Sequence, residues 1–447
     1  MTNQLTGAIS VMDSKHSPMP GELAPSTHHR GPVAPLAERH GSWSRGAAWA
    51  AWAVAVCLTF AGCGQPEVEF GLNRLIVPPV NLVVQSREAQ LVDQNRPAGE
   101  IAEELATLKE TYLHNEQMLA SALTAVFGTP DDPYAWPGLG LDIKKLRMAA
   151  GPTGVRGVTR GLYREHCVHC HGINGDGLGP TARFLNPYPR NFQLGVFKFT
   201  STNQGRKPTT EDLERTLREG IPGTAMPSFR LQSPAEIEAL VEYVKYLSMR
   251  GEVQNQLMTA IEAVGGPIDE NQLAEELQVA LDLVARSWNE AEDYIVVPAQ
   301  RPPFRSEQER LASIARGKEI FLNAGKANCI GCHGPTGLGD GGQVDYDVWT
   351  KLQREQEARY PGLAQLWPLP VRPAEPRNLH QGIYRGGRRP VDLYRRIYAG
   401  IKGTPMPAQG QTLKPDEIWS VVDYVMSLPY EHEQASPAPP SVHRAGL

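Results

Sequence analysis

Two short runs in this chain combine the residue types that hold an iron porphyrin: Cys167, Cys170 and His171 in CVHCH, and Cys329, Cys332 and His333 in CIGCH. Two thiols three positions apart can each join a vinyl group of haem, and the histidine that follows can bind the iron from one side. Three other uses of paired cysteines compete with this reading: a zinc ribbon, a disulfide and a dithiol redox centre. A zinc ribbon sets its two pairs about 15–20 residues apart in one small module, whereas 162 residues separate Cys167 from Cys329. A thioredoxin-like centre needs a βαβ setting, and neither run sits in alternating strand and helix patterns. The duplicated run therefore implies two covalently bound haem c groups, with the chemistry supplied by iron.

A second axial ligand separates a closed iron, which carries electrons, from an open one, which binds small molecules. Gly223-Thr224-Ala225-Met226-Pro227 follows the first run, and Gly403-Thr404-Pro405-Met406-Pro407 follows the second. A lone methionine is usually core filler. Two methionines in one repeated phrase, each on the carboxyl side of a haem run, point to His171 with Met226 and His333 with Met406 as the two iron ligand sets.

These phrases belong to a longer internal repeat, which fixes the organisation of the chain. Leu213 and Leu393 each precede the methionine by 13 residues, and Asp212 matches Asp392. Pro189-Arg190-Asn191 matches Pro376-Arg377-Asn378, and Lys198 and Arg385 each lie nine residues beyond the proline. After the methionines, Ile237 to Val244 matches Ile418 to Val425, apolar at i, i+3, i+4 and i+7 as in an amphipathic helix.

On these motifs each unit resembles a class I cytochrome c domain, and the pair resembles the tandem dihaem cytochromes c of bacterial respiratory chains. The resemblance implies an all-α fold of two tandem domains, with additional helical segments. It sets the boundaries: a leader and anchor over 1–63, a helical spacer over 64–157, domain 1 over 158–250, a helical linker over 251–306, domain 2 over 307–430 and a tail over 431–447. It implies a first helix at Thr159 to His166 and at Ser313 to Asn323, with Tyr163 and Phe321 packing on the last helix. The family's small residue four positions earlier is Gly317 in the second copy and Thr159 in the first. The resemblance also implies that a loop proline carbonyl accepts the proton of the ligand histidine's other nitrogen; Pro180, nine residues after His171, fits that role, while the second copy has Gly342 there. Lys198 and Arg385 are either exposed charges or partners for haem propionates, which need cationic company when buried.

Outside the repeats, Ala98 to Phe127 reads as one long helix, ended by Asp131-Asp132-Pro133 and nearby glycines. Pro267 to Tyr294 reads as another, with Leu273, Leu277, Leu281 and Val284 on one face. These helices either pack on the haem units as spacers or dock the protein on a membrane complex. The second unit takes 43 residues from His333 to Pro376 where the first takes 18 from His171 to Pro189, so an insertion containing Trp349 and Trp367 lies beside the second haem run. Such an insertion either buries a haem edge or joins the two units. A basic cluster of Arg385, Arg388, Arg389, Arg395 and Arg396 serves either an acidic partner or local neutralisation.

A net charge of -5 gives no electrostatic bias toward nucleic acid. Only Cys57 and Cys63 remain beyond the haem runs, so there is no disulfide framework. Gly46 to Gly62 is an uncharged apolar run of 17 residues, read as an export signal. Phe60-Ala61-Gly62-Cys63 resembles a lipoprotein cleavage site that would acylate Cys63; a short transmembrane helix and ordinary signal cleavage are the alternatives. All three place the haem units outside the cytoplasmic membrane, and the expected location is the periplasmic face of the cell membrane, held by the lipid or by a single helix. The expectation is an electron carrier between redox protein partners such as a quinol-oxidising complex and a terminal oxidase. The alternative is a haem enzyme or enzyme subunit, a dihaem peroxidase or an oxidoreductase subunit.

Overall fold

Proline and glycine punctuate this sequence strongly, and helices fill the intervals between them. The computed structural model describes residues 68–151, 161–301, 303–366 and 369–431. The apolar run, Cys57, Cys63, Thr159 and Trp367 lie outside the described residues. The elements are α1 (Val80–Asp93), α2 (Ala98–Phe127), α3 (Ile143–Ala149), α4 (Leu162–His166), α5 (Val168–His171), α6 (Thr210–Glu219), α7 (Pro234–Val264), α8 (Glu270–Asn289), α9 (Glu307–Leu322), α10 (Cys329–His333), α11 (Val348–Arg359), α12 (Pro390–Ala399) and α13 (Pro415–Ser427). Among the described residues the only β pairings are two isolated bridges, so the fold is all-α.

α2 has the limits the sequence predicts. Pro97 presets its entry, Arg96 pairs with Glu100 and Glu104 on its first turns, and Gly128 in a left-handed conformation ends it. α9 starts earlier than expected, at Glu307, because Ser306 caps it through the Glu309 amide. α7 departs more. It starts at a capping box of Ser233 and Glu236 and continues for 31 residues, through position 250, until Gly265 stops it. The expected boundary between domain 1 and linker therefore falls inside one helix.

Packing explains the extra length. One core joins Leu119, Phe127 and Leu146 of the spacer, Tyr163 and Leu213 of the first unit, α7, and the α8 stripe of Leu273, Leu277, Leu281 and Val284. Those four α8 residues are 1–3% exposed, so the stripe is consumed inside this chain and offers nothing for docking. The second unit has a separate core around Phe321, Tyr394, Ile418, Val422 and Tyr424.

In both copies the first helix meets the last through aromatic rings. Tyr163 and Tyr243 lie 4.8 Å apart, and Phe321 and Tyr424 lie 5.3 Å apart. In the second copy α9 crosses α13 so closely that a Cβ on Gly317 would collide with the Ser420 carbonyl.

The two copies pack against each other through matching repeat positions. Arg215 bonds Asp212 at 3.0 Å and reaches Asp392, the equivalent aspartate of the other copy, at 4.0 Å. Phe199 and Gly386, also equivalent, both have positive φ, and the Phe199 side chain fills the space a Cβ on Gly386 would need. Lys402 donates to the Thr202 hydroxyl at 2.5 Å and to the Arg206 carbonyl at 2.7 Å. The insertion closes at its base through the Ala374 amide and Asp345 carbonyl. It leans on the first unit, where Arg372 donates to the Leu185 carbonyl and Tyr188 to the Pro370 carbonyl. Its other side meets α1, through Leu82 with Tyr360 and Leu363 and through Ser86 Oγ on the Arg359 carbonyl.

Gly317→Ala forces α9 and α13 apart. The expected loss of about 1–3 kcal/mol, typical of overpacking, is read from chemical denaturation of the second unit; an unchanged midpoint would refute the close crossing.

Candidate functional site

Each C-x-x-C-H run forms a single helical turn, α5 or α10, followed by a loop that folds identically in the two copies. The Gly177 amide donates to the His171 carbonyl and the Gly339 amide to the His333 carbonyl, both at 2.9 Å. The Gly179 amide reaches the Cys170 carbonyl and the Gly341 amide the Cys332 carbonyl, both at 3.1 Å. None of the four described cysteines is in a disulfide.

The loop returns to the histidine through the Pro-Arg-Asn phrase. His171 Nδ1 lies 2.9 Å from the Arg190 carbonyl, and His333 Nδ1 lies 3.4 Å from the Arg377 carbonyl. This corrects the expectation for Pro180, which is exposed on the loop, and supplies the acceptor left open in the second copy. A ring nitrogen that donates there leaves Nε2 with its lone pair free to bind iron. Burial lowers the His171 pKa to about 4, so the imidazole is neutral near pH 7. Burial likewise lowers that of His333. Phe192 stacks on the His171 ring at 4.5 Å and fixes its plane.

The methionine phrases are a repeated turn. Gly223 and Gly403 take left-handed φ of 71° and 69°. Thr224 and Thr404 donate their hydroxyls to the Ile221 and Ile401 carbonyls and accept from the Met226 and Met406 amides. The Ile221 and Ile401 amides close each turn on the methionine carbonyl. Threonine and glycine are thus required in the phrase for the loop geometry that presents the methionine.

Around the first set lies an open, largely apolar cavity. Cys167, Cys170, His171 and Met226 all line it, with an apolar wall that includes Phe197, Leu213, Leu217 and Val241. Burial raises the Cys167 thiol to about 12 and the Cys329 thiol to about 11. Both are therefore neutral sulfurs, unlike the depressed thiols of redox dithiols or zinc sites.

Cations gather on the same wall. Arg190, Lys198 and Arg385 all line the cavity, and burial lowers Arg190 to about 9 and Lys198 to about 7. Asp347, 3.9 Å from Lys198, is the one carboxylate paired with them among the described residues. Arg385 Nε is buried without a hydrogen-bond partner. Buried positive charge of this kind requires anionic company, and the carboxylates of a porphyrin would supply it. Arg385 comes from the second unit and also donates to the Gly223 carbonyl of the first at 3.3 Å. Sequence reasoning named Lys198 and Arg385 but missed Arg190 and Arg377; the repeated Pro-Arg-Asn phrase carried that signal. The rest of the arginine cluster is largely absorbed internally, with Arg395 on the Val296 carbonyl, Arg396 on the Asp392 carbonyl and Arg389 paired with Asp392.

Residues 314–429 match the family model described as Cytochrome c. Residues 159–244 match the one described as Cytochrome C oxidase, cbb3-type, subunit III. Each match contains one haem run and one methionine phrase. The chain carries cytochrome c domains. Covalent haem c is the cofactor that such domains imply, and the thiols, imidazoles and cations described above fit it. A chain of the Kuenenia stuttgartiensis reducing HAO-like protein complex is 27% identical, with 60% of this chain and 94% of that chain covered and a TM-score of 0.41. No curated protein matches this chain.

With haem bound and Met406 as its distal ligand, Met406→Ala would remove the thioether from the second iron. Carbon monoxide binding to the reduced protein and a lower potential for that haem are expected; an unchanged visible spectrum would show that Met406 is not the ligand.

Proposed function

We propose that this chain is a dihaem c-type cytochrome that exchanges single electrons between protein partners and carries no substrate chemistry of its own. The observation that carries the reading is the doubled frame: thiol pair, oriented imidazole and threonine-locked methionine turn recur with the same hydrogen bonds in both copies.

In this reading Cys167 and Cys170 hold one haem and Cys329 and Cys332 the other, with His171 and Met226, and His333 and Met406, as iron ligands. Bound haem would supply a reversible one-electron couple, and histidine with methionine as its ligands would set it at high potential. The residues of the chain do the rest. The Arg190 and Arg377 carbonyls orient the imidazoles and raise their basicity. The apolar wall excludes water, and Arg190, Lys198 and Arg385 balance the propionate charge. Two closed ligand sets favour a carrier over a peroxidase, which needs an open iron.

The partners in this proposal are redox proteins of a respiratory chain, among them a quinol-oxidising complex and a terminal oxidase. The chain is held at the periplasmic face of the cell membrane through an acylated Cys63. Among the described residues no helix is long and apolar enough to cross a membrane.

The purified protein is expected to contain two covalent haems, both low-spin, inert to carbon monoxide and at positive potentials in a spectrally followed titration. A high-spin or strongly negative haem would replace the carrier with a peroxidase-like enzyme. Cys63→Ser should move the protein from the membrane fraction to the soluble one, and retention in the membrane would exclude the lipid anchor.

A further inference from the structure

The insertion of the second unit belongs to neither repeat, yet its first helix, α11, reaches both ligand frames. Trp349 stands at the start of α11 with its ring against the Arg190 guanidinium, 3.4 Å from carbon to ring centre, and with Lys198 Nζ at 5.7 Å. Arg190 is the residue whose carbonyl faces His171 Nδ1 at 2.9 Å and whose side chain lines the first cavity. The far edge of the same indole backs the other frame. A Cβ on Gly403 would lie 2.8 Å from Trp349 Cη2 and 3.1 Å from Val196 Cγ1 of the first unit. The neighbouring Val348 amide donates to the Gly403 carbonyl at 3.1 Å. Gly403 opens the turn that presents Met406.

We propose that Trp349 is a positioning residue shared by the two haem sites: one face of its ring holds Arg190 beside the first, and its edge braces the Gly403 turn that carries the distal methionine of the second. The inference rests on the dihaem reading. Three features support a specific role over simple filling. Among the described residues the stacked cation has no hydrogen-bonded carboxylate partner, Asp347 acting on it only at longer range, so the ring makes its close contact. Trp349 Nε1 is buried without a hydrogen-bond partner, so the position is not set by its own polar group. The helix bearing it is held from outside by α1, which keeps the ring from retreating.

The two contacts predict different responses. A cation near an iron favours the reduced, less positive form. Releasing Arg190 toward solvent therefore lowers the potential of the first haem, and loosening the Gly403 turn weakens the bond of Met406 in the second. In full-length holoprotein, Trp349→Ala should shift the first redox wave down by a roughly tenfold change in its reduction equilibrium, about 59 mV for one electron. It should also diminish the methionine-to-ferric charge-transfer band and admit carbon monoxide at the second haem, with the waves assigned by Met406→Ala. Trp349→Leu keeps bulk over Gly403 and removes the aromatic face. It should move the first wave alone, and it provides the test if the alanine variant does not fold. Covalent haem is counted in every sample. Wild-type protein without two covalent haems overturns the dihaem reading and this inference with it. Two haems present with both waves unmoved in Trp349→Leu and Trp349→Ala overturns the inference alone. A Trp349→Ala protein in which only one haem responds overturns the shared role.

Discussion

The orientation of two imidazoles by backbone carbonyls is the constraint on which the rest of this structure depends. Each histidine belongs to a single helical turn too short to hold itself in place, so its direction comes from a residue well along the chain, Arg190 for His171 and Arg377 for His333. Bringing that carbonyl back requires the glycine-rich loop, whose amides fold onto the carbonyls of the haem run. The returning segment delivers the arginine side chain as well as its carbonyl. In the first site one residue therefore sets both the ligand geometry and the local charge. In the proposed reading a single backbone register would thereby control two properties of an iron centre.

Much of this was legible in the sequence because it was written twice. The haem runs and methionine phrases stand out by residue type and spacing, and the structure gives each pair the same local hydrogen bonds, while α2 and α8 are legible as apolar stripes between proline and glycine stops. The histidine acceptor was misread as Pro180 because a carbonyl is a backbone group that any residue can supply. The true acceptors lay in a phrase already visible as a repeat. The length of α7 was missed because the repeat ends near Val244 while the helix continues wherever spacer residues cover it. The surroundings of Trp349 were beyond reach for a different reason. They bring together positions near 190, 349 and 403, and no local pattern encodes that meeting.

The repeats are alike in their ligand frames and unlike at the surface where they meet. Paired aspartates and arginines follow the repeat across the contact, whereas Phe199 faces a glycine. Arg385 lends its charge to the cavity of the other unit, and the insertion is present only once. The first site is consequently built from both units, and equal ligands sit in unequal surroundings. That is the physical requirement for two centres of the same chemistry to differ in potential.

α7 has a consequence for the way the molecule comes apart. Because this helix runs unbroken out of the first unit and shares its core with α2 and α8, those helices and the first unit are expected to open together in one cooperative block, while α9, α12 and α13, with their own core, form a second. Native-state hydrogen exchange would sort the amides into two tiers along this division.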